Sequence, residues 1–216
     1  MFDVAPVPEA AYWDRYHRSE AFQARPAGDR FRWTTGIEAG ADILGSPKTA
    51  LDLGPAEGEN AAYLARHGAQ VVAVDLSPVQ ITRARAFWGD VPGLEFVHAE
   101  ACAFLDADLR QWEAIYSSWG AVWFTDPAEL LPRIRARLAP GGVFAFSHRA
   151  ANGGPYGERT VSGKWLETDL TARCWHHTPK QWTALLEDHG FTNVRAEILP
   201  EPEPGGPSTL LVRAST

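Results

Sequence analysis

The chain has 216 residues, 45% of them apolar, and its 20 basic against 27 acidic side chains leave a formal charge of −7. That composition excludes an intrinsically disordered chain, and the acidic balance argues against a nucleic acid partner, which needs a clustered basic surface. Cys102 and Cys174 are too few and too far apart for a disulfide framework or a zinc spacing, and no stretch reads as an export signal or membrane span; a cytoplasmic protein with no membrane partner is expected.

Residues 10–19, with Tyr12, Trp13 and Tyr16, read as an amphipathic helix that packs on, or covers, the remainder of the chain. Apolar runs at 49–53, 70–74, 94–97, 114–116 and 143–146 then alternate with helical segments, the pattern of parallel βαβ units. Three helix starts are legible: Ser77-Pro78-Val79-Gln80, Asp126-Pro127-Ala128-Glu129 and Thr178-Pro179-Lys180-Gln181. Each combines a capping side chain, a proline at the first helical position and Glu or Gln three residues after the cap. In the last helix Trp182, Leu185, Leu186 and His189 share one face, which makes Trp182 a core residue. Runs at 193–199 and 209–212, separated by a Pro/Gly-rich loop, are expected to form a hairpin that closes the sheet with an antiparallel edge.

The chemistry concentrates where the first strand ends. Ala50-Leu51-Asp52-Leu53 runs into Gly54-Pro55-Ala56-Glu57-Gly58 and then a helix over residues 60–67, a geometry that aims backbone N–H groups at a ligand. The second strand ends in Asp75, 21 residues after Gly54, where a carboxylate can grip a pair of ribose hydroxyls. A nicotinamide-binding turn wants glycine at positions that here hold Gly54, Ala56 and Glu59, so two of three fail. Gly54 and Gly58 fit another cofactor better.

These segments resemble the class I S-adenosylmethionine-dependent methyltransferases. Asp52-Leu53-Gly54-Pro55-Ala56-Glu57-Gly58 is similar to that family's first motif, Val74-Asp75-Leu76-Ser77 to its ribose strand and Arg137-Leu138-Ala139-Pro140-Gly141-Gly142 to the lead into its fifth strand. Residues 182–191 are similar to its last helix and turn, and Ala56 replaces the middle glycine of the first motif. The resemblance implies a doubly wound, Rossmann-like α/β domain over residues 1–216. Its seven-stranded sheet would be mostly parallel with an antiparallel C-terminal strand, helices would cover both faces, and residues 1–46 would form a helical lid. It implies S-adenosyl-L-methionine as cofactor, with Asp52 opening the motif, Gly54, Ala56 and Gly58 along the methionine part, and Asp75 on the ribose. Leu76 would flank the adenine, Glu100-Ala101 would contact it, and Ser117 would sit beside the methionine moiety.

Ligands of open α/β sheets bind beyond the carboxyl ends of the strands, which selects Trp119 and Trp123 after the fourth strand and His148 with Arg149 after the fifth. His148 is the leading general base if the acceptor arrives protonated; His176 and His177 are alternatives, only one of which can face a shared pocket. Trp13, Trp33, Trp119, Trp123, Trp165 and Trp175 fall in segments the family uses for lids and acceptor sites, whereas Trp112 and Trp182 read as structural. No Asp/Asn cluster suggests a metal. Ser117-Ser118-Trp119-Gly120 stands where methyltransferases acting on DNA or protein nitrogen often carry Asp/Asn-Pro-Pro-Tyr. The expectation is in-line methyl transfer to a small, aromatic or largely apolar acceptor, in the manner of bacterial specialised metabolism. The alternatives are a regulatory protein that senses the same cofactor and a catalyst that uses it without methyl transfer.

Overall fold

A computed structural model describes residues 8–16, 27–34, 40–151, 153–201 and 206–216; the expected lid (1–46), first helix (10–19) and Pro/Gly loop therefore lie partly outside the described residues. Helix α1 (Pro8–Asp14) comes first, and β1 (Thr49–Leu53), α2 (Glu59–Arg66), β2 (Gln70–Asp75), α3 (Pro78–Trp88), β3 (Leu94–His98), α4 (Ala101–Ala107) and β4 (Trp112–Ser118) follow in strict alternation. Next come α5 (Ala121–Phe124), α6 (Pro127–Arg137), β5 (Leu138–Arg149), the hairpin β6 (Gly157–Ser162) and β7 (Thr171–His176), then α7 (Pro179–Asp188), β8 (Thr192–Leu199) and β9 (Thr209–Ser215).

Seven strands make one sheet in the order β3-β2-β1-β4-β5-β9-β8. β1 to β5 are mutually parallel and β9 is antiparallel to both its neighbours. The antiparallel strand is thus one place in from the edge, and β8, parallel to β5, forms the edge itself. The reason is solvation. β9 is buried at nearly every position, whereas β8 is exposed or half-buried throughout, so the apolar partner takes the interior place.

Each face of the sheet carries its own core. Large side chains, Leu51, Leu53, Val72, Val74, Ile115, Phe144 and Phe146, meet α4, α6 and α7 on one face. On the other, strand alternation presents the small Ala50, Ala73, Ala114 and Ala145. The room they leave is filled by Trp33, Trp88 and Tyr116, all fully buried, together with α2 and α3. The strand order reverses between β1 and β4, and the crevice at that switch point is where an α/β sheet accepts a ligand.

The β6–β7 hairpin was not legible in the sequence. Its first strand, Gly-Glu-Arg-Thr-Val-Ser, is mostly exposed, and the second, Thr-Ala-Arg-Cys-Trp-His, buries only Ala172, Cys174 and Trp175, too short an apolar pattern to stand out. What holds the hairpin is a small cluster in which Leu166 and Ala172 pack on Tyr12 of α1. Among the described residues no helix is long and apolar enough to cross a membrane.

Candidate active site

The turn after β1 is fixed from three sides. The Gly54 N–H donates to the Val74 carbonyl at 2.9 Å, tying the turn to β2. Gly54 has φ +80°, and a Cβ there would stand 2.5 Å from the backbone nitrogen of Ala121 and 3.0 Å from Gly120 Cα. The loops after β1 and β4 therefore interlock at the switch point. At Gly58 (φ +79°) a Cβ would lie 2.6 Å from the Phe96 ring. Trp88 supports the same place from beneath, its Nε1 donating to the Glu57 carbonyl at 2.8 Å. Ala56 adopts φ 49° without being glycine, a left-handed conformation that costs about 1–2 kcal/mol.

Asp75, at the end of β2, is buried and accepts two backbone bonds, from Ala56 N–H on Oδ2 (3.1 Å) and Ser77 N–H on Oδ1 (2.8 Å). Burial nevertheless pushes its carboxyl up to about 6, the two backbone bonds opposing the shift. Asp52, 2% exposed, is pushed up to about 8 by burial. The adjacent Tyr116 hydroxyl, which meets no acceptor in hydrogen-bonding geometry, offsets this only in part. Two buried carboxyls thus face one cavity of about 1110 Å³, which Gly54, Ala56, Gly58, Leu76, Glu100 and Ala101 also line. Glu100 is at the same time the N-cap of α4, its oxygens accepting from Cys102 N–H (2.9 Å) and Ala103 N–H (2.8 Å).

The far side of the cavity is aromatic. Trp119 has φ 53°; its main-chain N–H donates to the Ser147 carbonyl (2.7 Å) and its Nε1 to the Trp33 carbonyl (3.0 Å). Trp123 meets it edge-on at 5.8 Å. Over them lies α1, with Trp13 against Phe124 at 4.4 Å and the Tyr12 hydroxyl accepting from Trp165 Nε1 at 3.0 Å. The helix is fastened to the loop that carries Asp75. The Ser77 hydroxyl donates to Asp14 Oδ1 at 2.6 Å, and Gln80 Nε2 donates to the carbonyls of Trp13 and Tyr16. Gln80 therefore does not close a capping box on Ser77 as its position suggested; only Thr178 with Gln181 forms the full reciprocal pair.

Five of the expected candidates, Ser117, Trp175, His148, His176 and His177, do not line the cavity. Ser117 does not line the cavity: its hydroxyl donates to the Leu53 carbonyl (2.7 Å) and accepts from Val122 N–H, so Ser118 takes the lining position. Trp33 lines the cavity, but its ring is fully buried against Phe31 and Tyr116, with Nε1 on the Gly40 carbonyl (2.9 Å). Trp33 serves as the post for Trp119. Trp175 is buried under the Arg173 guanidinium and stays out of the cavity. His148 is likewise fully buried, stacked on Trp123 at 5.4 Å with Nδ1 bonded to the Arg149 carbonyl, and His176 and His177 do not line the cavity either. Burial holds the His148 ring down to about 3, against the raising effect of its backbone bond.

A general base is worth about 10²–10⁴-fold. Since His148 does not reach the cavity, His148→Gln is expected to leave kcat within about threefold and to act instead on thermal stability. A kcat lower by two orders of magnitude would restore the base assignment.

A doubly wound sheet with a glycine turn at its switch point and two buried carboxyls facing the cavity is a setting in which open α/β folds take a ligand. The comparisons agree. A family profile described as a methyltransferase domain matches residues 28–196. A trans-aconitate 2-methyltransferase of Methylobacterium radiotolerans is 34% identical over 225 aligned positions, covering 87% of this chain and 82% of its own length. A trans-aconitate 2-methyltransferase of Yersinia pestis is 29% identical over 172 positions, and the match spans 72% of this chain but 57% of that relative. Among solved structures, the 1,6-didemethyltoxoflavin-N1-methyltransferase of Burkholderia thailandensis, with 1,6-didemethyltoxoflavin and S-adenosylhomocysteine bound, matches with TM-score 0.61 and 26% identity over 82% of this chain and 74% of that one. The chain belongs to the class I S-adenosylmethionine-dependent methyltransferases, and S-adenosylmethionine is its methyl donor.

Proposed function

We propose that the protein methylates a small, planar, largely apolar acceptor held against Trp119 and Trp123 beneath α1, with residues 1–46 serving as the lid. The observation that carries this reading is the edge-on tryptophan pair, in which Trp119 has its backbone held by β5 and its indole anchored on the Trp33 carbonyl. A fixed aromatic wall suits a flat partner and the positive sulfonium alike. The bound donor supplies an activated methyl group. Gly54, Ala56 and Gly58 would present main-chain amides to its methionine part, Asp75 would hold the ribose, and Leu76 with Glu100-Ala101 would enclose the adenine.

Among the described residues no histidine or lysine lines the cavity, whereas carboxyl groups and tyrosines do. In this reading the chain's main contribution is orientation, which is worth about 7–11 kcal/mol when the reacting atoms are held in line. Trans-aconitate and 1,6-didemethyltoxoflavin, the substrates named for the relatives, are the first acceptors to assay.

Trp119→Ala and Trp123→Ala are expected to raise the acceptor KM about tenfold or more, the loss of one aromatic contact face, with S-adenosylhomocysteine affinity unchanged. Steady-state kinetics with the acceptor varied checks this. An unaltered KM in both variants would refute the aromatic pocket.

A further inference from the structure

Arg32 and Arg149 line the acceptor side of the cavity, and among the described residues neither guanidinium makes an ion pair or a side-chain hydrogen bond. They stay unpaired in a cavity lined by eight acidic residues, Arg32 half-buried and Arg149 exposed. Arg173, which lines the same cavity, does find a partner, Glu9 at 3.2 Å.

Arg32 N–H donates to Asn60 Oδ1 (2.9 Å), and the Arg32 carbonyl accepts from Asn60 Nδ2 (2.9 Å) and the Ser118 hydroxyl (3.0 Å). Three bonds thus hold Arg32 over the end of β4. Arg149 ends β5, paired in register with Thr209 of β9, and the Thr209 hydroxyl bonds that of Thr34 at 2.7 Å. Residues 32–34 therefore cross the strand ends from β4 to β9, and the Trp33 carbonyl between the two arginines holds the Trp119 indole and the Ser147 hydroxyl. The two cations flank the tryptophan wall, two and three strands from Asp75 on β2.

We infer that the acceptor carries a carboxylate, and that Arg149 together with Arg32 receives it while the rest of the molecule lies on Trp119 and Trp123. The inference rests on the acceptor reading given above. A guanidinium offers a planar fork that matches both oxygens of a carboxylate. Arg32 is half-buried; a cation so placed without a counter-charge is costly, and the incoming anion supplies one. The acids on the donor side then favour the cationic donor, and the arginines favour an anionic acceptor, so the two substrates are sorted by charge within one cavity.

The test is fluorescence titration of the protein loaded with S-adenosylhomocysteine, using acids matched with their amides: trans-cinnamate against trans-cinnamamide, and indole-3-carboxylate against indole-3-carboxamide. The acids are expected to bind more tightly. Arg149→Gln is expected to weaken acid binding about 10-fold or more, as for loss of charged hydrogen bonds, and amide binding less than about 2-fold. Arg32→Gln should act in the same direction, and neither variant should alter S-adenosylhomocysteine affinity. Acids that bind no better than amides, or a preference that survives both substitutions, overturn the assignment. A wild-type protein that fails to bind S-adenosylhomocysteine overturns the donor reading beneath it, so the two failures are told apart.

Discussion

Gly54→Ala is expected to destabilise the protein by about 3 kcal/mol, the sum of a left-handed Cβ and an overpacked contact. For a chain of this size that corresponds to a melting temperature lower by roughly 6–12 °C. The added methyl would stand 2.5 Å from the Ala121 nitrogen. Its obstacle is backbone, which cannot rotate away as a side-chain tip can. Relief requires the loops after β1 and β4 to part, and these are the loops that hold the donor turn on one side and Trp119 on the other. A displacement of about 1 Å is enough to cost 10²-fold in rate, so kcat/KM should fall by about that factor. Gly141→Ala is the control: it has φ +73° and nothing within 4 Å of its virtual Cβ, so only the conformational cost applies, about 1–2 kcal/mol. Thermal melts and initial rates of the two variants side by side check the claim. Equal melting temperatures would mean that the two loops are not locked together.

That interlock was only half visible in the sequence, and the reason is general to this molecule. Local signals were strong: the glycine turn, the acid ending β2 and the three proline-capped helices are each decided by residues close together in the chain. The alternation of strands and helices exposed the parallel sheet for the same reason. What remained hidden depends on contacts between distant segments. Trp33 was expected at the pocket because its segment resembles the family's lids and acceptor sites, and it does line the cavity, but its ring fills a slot that the small strand residues Ala50, Ala114 and Ala145 open on that face. Strand alternation at the end of β4 points Ser117 into the sheet and Ser118 toward the cavity, yet the two serines are indistinguishable by composition. His148 stands at the expected end of β5 but on the side covered by Trp123 and Trp182. Asn60 and Asp14 carried no motif, and Gln80 stood only in a helix-start motif that did not announce its contact with α1. Their importance lies in bonds to Arg32, Ser77 and Trp13 that span 28, 63 and 67 positions.

Asp75 is the residue on which donor affinity should depend most, and its burial gives that dependence a sign in pH. In the unliganded protein its carboxyl titrates at about 6, raised by burial above the ordinary carboxylate range. Only the ionised form can accept two ribose hydroxyls, so S-adenosylmethionine affinity is expected to climb as pH rises through 6. Asp52, raised to about 8, extends the climb, because its charge appears there and attracts the cationic donor. Unliganded stability runs the other way. The folded state keeps protons that the unfolded chain has already released, so stability is greatest near the ordinary carboxylate value and declines as pH rises toward 8. Asp75→Ala is expected to cost about 1.5–3 kcal/mol of donor affinity, the loss of charged hydrogen bonds, or roughly 10- to 150-fold in Kd. Asp75→Asn keeps an acceptor for only one of the Ala56 and Ser77 amides and sets its NH2 against the other, so it removes the titration at the cost of one turn bond. That variant should erase the affinity step near pH 6 and flatten the lower part of the stability decline. Calorimetric titration with S-adenosylmethionine at pH 5.5, 6.5, 7.5 and 8.5 separates the contributions, since the step that survives in Asp75→Asn belongs to Asp52. A wild-type affinity that is flat across this range, or an Asp75→Ala affinity within about twofold of it where charged bonds should be lost, removes Asp75 from the ribose.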